Sequence, residues 1–336
     1  MTTRPAFEVV RSSPQTTIQD MGRAGYLHTG MPQSGAQDPW SLKVANRLVG
    51  NDVGGAFGVQ STEPGDAGLE VLLPGLLILA LADSKIAITG ADLDARVNGE
   101  SVPMWTTLPI REGDEVSLKG LKTGLRAYVA IAGGLAVEPV LGSRATYVRG
   151  AIGGIEGREL RPGDVLNVYD KPTMKELYQV PEDSRDAYQM GTVRVVFGPQ
   201  DHLYTEEARR TFLAEPWRLL PEADRMGFRM EGPTLGFETS DMTQKEYSPP
   251  YIVDDFIPLG GIQTPSDGLI IAMGVEGPSL GGFAKIATVI SIDFGVLAQT
   301  KPGQSLGFEA VSWEEAVALS AQAQSRVGGG EILEKA

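Results

Sequence analysis

Cysteine is absent from the chain and histidine nearly so, with only His28 and His202 among 336 residues. The first absence removes disulfides, thiolate nucleophiles, zinc knuckles and iron–sulfur ligands together. The second leaves too few imidazoles for a histidine cage, and no metal site is expected. Basic runs are also missing. Asp and Glu number 43 against 29 Lys and Arg, leaving a net charge of −14, so nucleic acid and anionic membrane are poor partners. The most apolar stretch, LEVLLPGLLILALAD from Leu69, is broken by Pro74 and Gly75 and falls short of the roughly 18 residues that span a bilayer. It reads as two buried strands. Residues 1–15 lack the apolar centre of a signal peptide, and the expected location is cytoplasmic.

What the chain has in quantity is turn chemistry, with 42 glycines and 22 prolines spread over its whole length. Between them lie short β-rich runs such as KIAIT from Lys85, AYVAIAGG from Ala127, VRVVFG from Val193 and KIATVISID from Lys285. This pattern predicts a mainly β fold of barrels or sandwiches with a few short helices. One turn-and-strand unit recurs as REGDEVSL at Arg111, RPGDVLNV at Arg161 and KPGQSLGF at Lys301. It is either a common hairpin entry or an internal repeat relating two barrels. Helices are signalled after Asp38, where an N-cap precedes Pro39; near Thr205, where Glu206 and Glu207 precede Arg209 and Arg210; and at Ser312, where Glu315 completes a capping box. Asn46 falls on the inward face of the first helix and should take hydrogen bonds from the loop before it. Length favours two domains, and the polar, proline-containing stretch from Asp170 to Gly191 sets their expected limits at 1–190 and 191–325, with a tail at 326–336.

Familiar catalytic signatures fail on inspection. GLKTG at Gly120 continues into Leu-Arg where a phosphate-binding loop needs Lys-Ser/Thr. The glycines at 153–157 lack dinucleotide-binding spacing. GPSLGG at Gly277 has hydrolase-like spacing around Ser279, but strand-rich sequence follows it, and neither histidine is paired with it. What remains is arginine, amide and carboxylate in glycine-rich surroundings. The segment TTIQDMGRAGYLHTGMPQSGAQD, residues 16–38, is too long and too polar for an ordinary connection and is expected to be functional. It supplies Asp20, Arg23, Gln33, Ser34 and Asp38. Further clusters supply Ser143, Arg144 and Arg149; Arg225 and Arg229; Gln263; and Ser279 with Lys285. Arginines and amides beside glycine are suited to holding a carboxylate, carbamate or ureido oxygen as charge develops on it. Asp20, Arg23, Arg144 and Arg229 are the expected catalytic set. Gln33, Ser34, Asp38, Asn46, Ser143, Arg149, Gln263, Ser279 and Lys285 are the expected substrate contacts. Within these sets Arg23, Arg144 and Arg229 would hold anionic groups, Gln33 and Gln263 a neutral amide, and Asp20 or Asp38 would orient them.

The run TTIQDMGRAGYLHTGMPQSGAQDPWSLKVANRLVGN resembles the opening of the allophanate-hydrolase-subunit-2 family, which takes in the C subunit of 5-oxoprolinase, a kinase-inhibitor antagonist, and part of the carboxyltransferase region of urea carboxylase. The resemblance continues through AYVAIAGGLAVEPVLGSRATYVRGAIGGIEGRELRPGD, DRMGFRMEGP, GGIQTPSDG and GGFAKIATVI, over roughly residues 8 to 315. It implies two cyclophilin-like β-barrel domains and a subunit-1-type, kinase-inhibitor-like partner chain that shares the site. It also implies one of three roles. The first is a carboxyltransferase-like subunit of a heteromeric, biotin-dependent, urea-amidolyase-related enzyme that moves a carboxyl group from carboxybiotin to an amide or urea-like nitrogen. The second is the C subunit of 5-oxoprolinase, in an ATP-dependent complex opening 5-oxoproline to glutamate. The third is a regulatory protein that binds a kinase inhibitor.

TMKEL at Thr173 lacks the residues that flank a biotinylated lysine, so biotin would arrive on another chain, with a biotin carboxylase or carrier as partner. The second role would instead bring a third oxoprolinase subunit, with ATP used at the level of the complex. Two stretches pull in different directions: Glu276-Gly277-Pro278-Ser279 is similar to the urea-carboxylase branch and GGIQTPSDG to the oxoprolinase branch. GGAFGVQSTEPGDAG, before Leu69, is longer than the usual join of the family. Carboxyl transfer asks a protein for positioning and oxyanion stabilisation more than for a histidine base, in keeping with this composition.

Overall fold

A computed structural model describes residues 1–55, 63–185, 191–238, 251–266 and 268–336. Parts of two stretches singled out above, 56–62 within GGAFGVQSTEPGDAG and 186–190 within the Asp170–Gly191 segment, lie outside the described residues, as does Asp267 of GGIQTPSDG. The chain forms two compact units. One comprises Met1–Ala24, Ser34–Ala187 and Gln322–Ala336, the other Gly25–Gln33 and Tyr188–Ala321.

The three recurrent turns are built alike. Gly113, Gly163 and Gly303 sit at φ of +89°, +90° and +87°, the value a type II turn needs at its third position. The next residue folds its side chain back onto the turn's first N–H: Arg111 N donates to Asp114 (2.8 Å), Arg161 N to Asp164 (2.7 Å) and Lys301 N to Gln304 (2.9 Å). Two of these turns feed strands of one sheet in the first unit and the third feeds the second unit. None of the three closes a hairpin: the first joins Thr107–Ile110 and Glu115–Leu118, strands of different sheets, and the third follows the helix Phe294–Gln299, so the motif is a local way of entering a strand. At the second turn Arg158 also forks onto Asp164 at 2.8 and 2.9 Å. This fork, with the Arg161 N–H, holds the Asp164 carboxyl below its ordinary value of 3.8. Its stabilising contribution is therefore present above that value and lost as the pH falls toward the folded pKa. The Asp164→Asn protein should lose about 1–2 kcal/mol near neutral pH and should melt with a shallower acid limb than the wild type as the pH falls below the ordinary carboxylate value of 3.8 in scanning calorimetry.

In the first unit a six-stranded sheet runs in the order Val165–Tyr169, Thr3–Arg11, Leu77–Ala80, Glu115–Leu118, Ala95–Val97, Glu100–Ser101. A five-stranded sheet runs Thr17–Gln19, Gly68–Leu72, Arg126–Ile131, Ser84–Gly90, Thr107–Ile110. Their apolar faces share one core that includes Phe7, Val9, Leu69, Ile78, Ile88 and Val129. The LEVLLPGLLILALAD run forms two strands, Gly68–Leu72 and Leu77–Ala80. Helix α1, Pro39–Val49, begins where Asp38 accepts from Ser41 N (3.1 Å) and Ser41 Oγ (2.6 Å), and stops at Gly50 in the left-handed region.

The second unit is built on a closed seven-stranded barrel: Thr192–Phe197, Lys285–Val289, Gly261–Ser266, Leu269–Met273, Gly227–Glu231, Trp217–Leu219, Ser305–Ala310. Closure comes from parallel pairing of Thr192–Phe197 with Ser305–Ala310, which leaves no barrel edge open. Alternate residues fill the interior, among them Phe228, Met230, Ile262, Ile270 and Ala272. Helix α2, Glu206–Ala214, is capped by Thr205 and packs Phe212 against Phe308, ring centroids 4.5 Å apart. Helix α3, Phe294–Gln299, is not signalled in the sequence; the KIATVISID strand ends at Val289. Helix α4, Trp313–Gly329, opens with the expected capping box, Ser312 N to Glu315 and Glu315 N to Ser312 Oγ. A two-stranded ribbon, Tyr251–Phe256 with Leu280–Phe283, completes this unit.

Candidate functional site

The polar segment 16–38 is not one loop. Thr17–Gln19 pairs with Gly68–Leu72 as a strand, Leu27–Thr29 makes one 3-10 turn, and residues 25–33 belong to the second unit. All four of its glycines have positive φ. A Cβ on Gly35 would lie 2.7 Å from Gly22 N, so here glycine lets the chain approach itself.

In the first unit Asp20 is wholly buried. Its carboxylate accepts from Gly22 N (2.8 Å), Ser143 Oγ (2.7 Å) and Arg144 N (2.6 Å). Burial nonetheless raises its pKa, against the pull of these three donors and the Arg23 charge. Arg23, also buried, donates to the carbonyl of Ala145, and Gly153 makes room for it: a Cβ there would stand 3.0 Å from the guanidinium. The Arg144 side chain lies over the Tyr169 ring, 5.4 Å from its centroid, and donates to the phenol oxygen at 3.1 Å. Asp20, Arg23, Ser143 and Arg144 therefore form one cluster that laces residues 20–23 to 143–145.

Ser34 is buried at φ +55°, and its hydroxyl has no hydrogen-bond partner among the described residues. Asp38 is buried as the α1 cap. Asn46 is inward as expected, but its partners are Asp66 O (2.8 Å) and Asn51 Nδ2 (3.0 Å), not the preceding loop. The correction follows from helix geometry: Asn46 lies two turns beyond the cap, level with Asn51 and Asp66. Arg149 is exposed on the 3-10 turn Val148–Gly150.

In the second unit strand register assembles a second group. Arg229 pairs with Ile271, Ile271 with Gln263, and Gln263 with Lys285. Directly opposed residues of antiparallel strands project to the same face. Their sequence neighbours Phe228, Ile270, Ile262 and Ile286 fill the barrel, so this row runs across its outer wall. Three inter-strand steps make it roughly 14 Å long. Arg229 is exposed, Gln263 is 3% exposed and Lys285 fully buried. The ribbon covers the Lys285 end. Asp255, opposite Gly281 in the ribbon, accepts from Lys285 Nζ (3.2 Å) and from Gln200 Nε2 (2.9 Å). These donors, Lys285 first, hold its carboxyl below the ordinary range. A Cβ on Gly281 would lie 3.1 Å from Gln263 Nε2 and 2.7 Å from Ile257, so only glycine lets the ribbon lie this close.

Ile257, Ile271 and Met273 form an apolar cluster beside the row. It leads into a cleft of about 20 Å³ lined by Leu27, Gln33, Ile257, Met273, Gly277 and Pro278. Ser279 contributes its carbonyl to Ile257 N (2.9 Å), and a strand, not a helix, follows it. Arg225 makes a buried ion pair with Glu276 at 2.6 Å.

Sequence reasoning missed Asp255 and Gln200, whose only signal is a carboxylate and an amide in short irregular stretches. It also missed Lys43, whose burial lowers its pKa to about 8. Glu70 and Tyr128 were missed as well; both sit beneath the start of α1, where Gln37 N donates to Glu70 and Asp38 N to the Tyr128 hydroxyl. Among the described residues no group of three or more acidic or histidine side chains is placed to hold a metal, and no helix is long and apolar enough to cross a membrane.

The barrel wall thus carries two cations and an amide at spacings fixed by strand register. Residues 29–310 match the family described as carboxyltransferase domain, subdomain A and B, and the chain belongs to that family. It is 32% identical to the C subunit of 5-oxoprolinase from Escherichia coli over 93% of both chains. It is 31% identical to the urea amidolyase of Saccharomyces cerevisiae, matching over 94% of its own length but only 17% of that protein's. Among solved structures it superposes on the K. lactis urea amidolyase with a TM-score of 0.85 at 28% identity, covering 100% of this chain and 21% of that one. For the Kluyveromyces lactis urea carboxylase the TM-score is 0.86 at 28% identity, with 100% and 30% covered. The expected mainly β, barrel-containing fold and the family resemblance are both borne out.

Proposed function

We propose that the chain is the carboxyltransferase-like subunit of a multi-chain enzyme acting on a small amide, with 5-oxoproline as the substrate the site supports best. The observation that carries this reading is the Lys285–Gln263–Arg229 row. A lactam carboxylate is a planar amide with an anionic group a few ångströms away, and the row offers an amide next to one cation with a second cation further along. Gln263 would donate to the lactam oxygen and accept from its nitrogen, Lys285 or Arg229 would take the carboxylate, and the remaining cation would meet charge developing on the oxygen as the ring opens. Near-complete correspondence in length with the C subunit of a 5-oxoprolinase supports the same reading. ATP use would belong to the assembly, together with a subunit-1-type partner and a third subunit.

Carboxyl transfer from carboxybiotin to a urea-like nitrogen is the second reading, favoured by the likeness to the urea carboxylase structure. The cleft beside the row, at about 20 Å³, holds about one water and accommodates neither a biotin bicycle nor a lactam, so in both readings the acceptor would lie on the row itself. Reconstitution decides between the two. The first reading expects ATP-dependent release of glutamate from 5-oxoproline, unaffected by avidin, only when the partner chains are present. Avidin-sensitive fixation of bicarbonate onto a urea-type acceptor, without glutamate release, would reject it in favour of the second.

A further inference from the structure

Lys285 is fully buried, yet its ammonium, with three protons to donate, has one acceptor among the described residues. That acceptor, Asp255 Oδ2, stands at 3.2 Å, longer than the 2.7–2.9 Å usual for a charge-assisted contact. The two partners are unequally placed. The Asp255 side chain is 46% exposed and that of Lys285 0%. Asp255 can turn to water, giving up its contacts with Gln200 Nε2 and with Phe256 N (2.8 Å) for water, whereas Lys285 cannot follow it. A buried ammonium that loses its counter-ion is strongly destabilised, so the carboxylate must be replaced whenever it leaves. Gln200 holds Asp255 in place from the side, through Nε2 at 2.9 Å, while its own Oε1 accepts from Lys285 N at 3.2 Å. Gln263, directly opposite Lys285 in the register, completes a surround of amides for whichever carboxylate occupies the position.

We infer that Asp255 is an internal competitor: it occupies on Lys285 the position that a ligand carboxylate takes, and a carboxylate ligand binds by displacing it. The inference rests on the barrel wall as the ligand site proposed above and adds how that site discriminates. A neutral amide cannot displace Asp255, because it leaves the ammonium without a negative partner, so the exchange selects small amides that carry a carboxylate. Nothing covalent is involved; one ion pair is exchanged for another.

Calorimetric titration of the folded chain with 5-oxoproline, with acetate as a carboxylate lacking the amide and 2-pyrrolidone as an amide lacking the carboxylate, tests this. Asp255→Asn should bind 5-oxoproline and acetate about tenfold more tightly than wild type, because the competing occupant is gone. Gln200→Leu should shift affinity in the same direction by less, and provides the test if the asparagine variant folds poorly. Lys285→Met should abolish acetate binding, and 2-pyrrolidone should gain nothing from Asp255→Asn. Equal or weaker 5-oxoproline binding by Asp255→Asn and Gln200→Leu, with wild type still binding, would overturn the competitor and leave the wall as a ligand site. Absence of binding by wild type and both of these variants would overturn the wall and the competitor together.

Discussion

Replacing Lys285 by methionine is expected to lower turnover of the assembled enzyme by about 10²–10³-fold, the usual cost of removing one preorganised group that stabilises developing charge. The same change should leave the thermal midpoint of the chain nearly unmoved. Methionine fills similar volume, and losing one member of a buried ion pair is costly because it leaves the other charge buried and uncompensated, unless that partner can reach water. Asp255 can, since its side chain is 46% exposed. The pairing of a large kinetic effect with a small stability effect is what separates a group that touches substrate from one that holds the barrel together. Arg229→Ala, at the exposed end of the row, should cost less, about tenfold, since solvent weakens its electrostatics. Steady-state rates with 5-oxoproline and ATP, beside scanning calorimetry of each variant, supply both readouts. A Lys285→Met enzyme turning over within about twofold of wild type would remove the row from the chemistry.

The features legible in the sequence are those decided by a few consecutive residues. The Asp38 cap, the Ser312–Glu315 box and the three Gly turns are complete within four positions, and each stands as its local chemistry dictates. The row on the barrel wall was beyond such reasoning. Arg229, Gln263 and Lys285 were singled out one at a time, and only register tells that they face one way. A bulge next to Gln263, where Ile262 meets Ala287 but Gln263 meets Lys285, brings the ammonium beside the amide; a slip of one residue would have sent it into the core. Helix α3 shows the same limit. Its N-cap residue, Asp293, does not cap, because its carboxylate is engaged by Arg194 N, Nε and the guanidinium tip, from a strand 99 residues away. The return of residues 25–33 to the second unit likewise has no local signal.

The Asp20→Ala protein is expected to be less stable by about 3–5 kcal/mol. Alanine strands two backbone donors, Gly22 N and Arg144 N, together with the Ser143 hydroxyl, in a place where Asp20 has no exposed surface and water cannot stand in. Each such buried donor costs about 1–3 kcal/mol, and the hydroxyl alone can turn to another partner. Asp20→Asn should cost less, since one carbonyl oxygen still accepts while the amide N–H meets a donor. Its deficit should also vary with pH. Burial places the folded pKa of Asp20 above the ordinary 3.8, so the protonation-linked part of its contribution is full below that value and lost as the pH rises through the folded pKa. The gap between wild type and Asp20→Asn should therefore narrow on going from acid toward neutral pH. Chemical denaturation of both variants at several pH values measures this. Wild-type stability in Asp20→Ala combined with lost turnover would return the carboxylate to catalysis; the expected pattern assigns it to bracing residues 20–23 against 143–144, leaving the chemistry to groups that can meet a ligand.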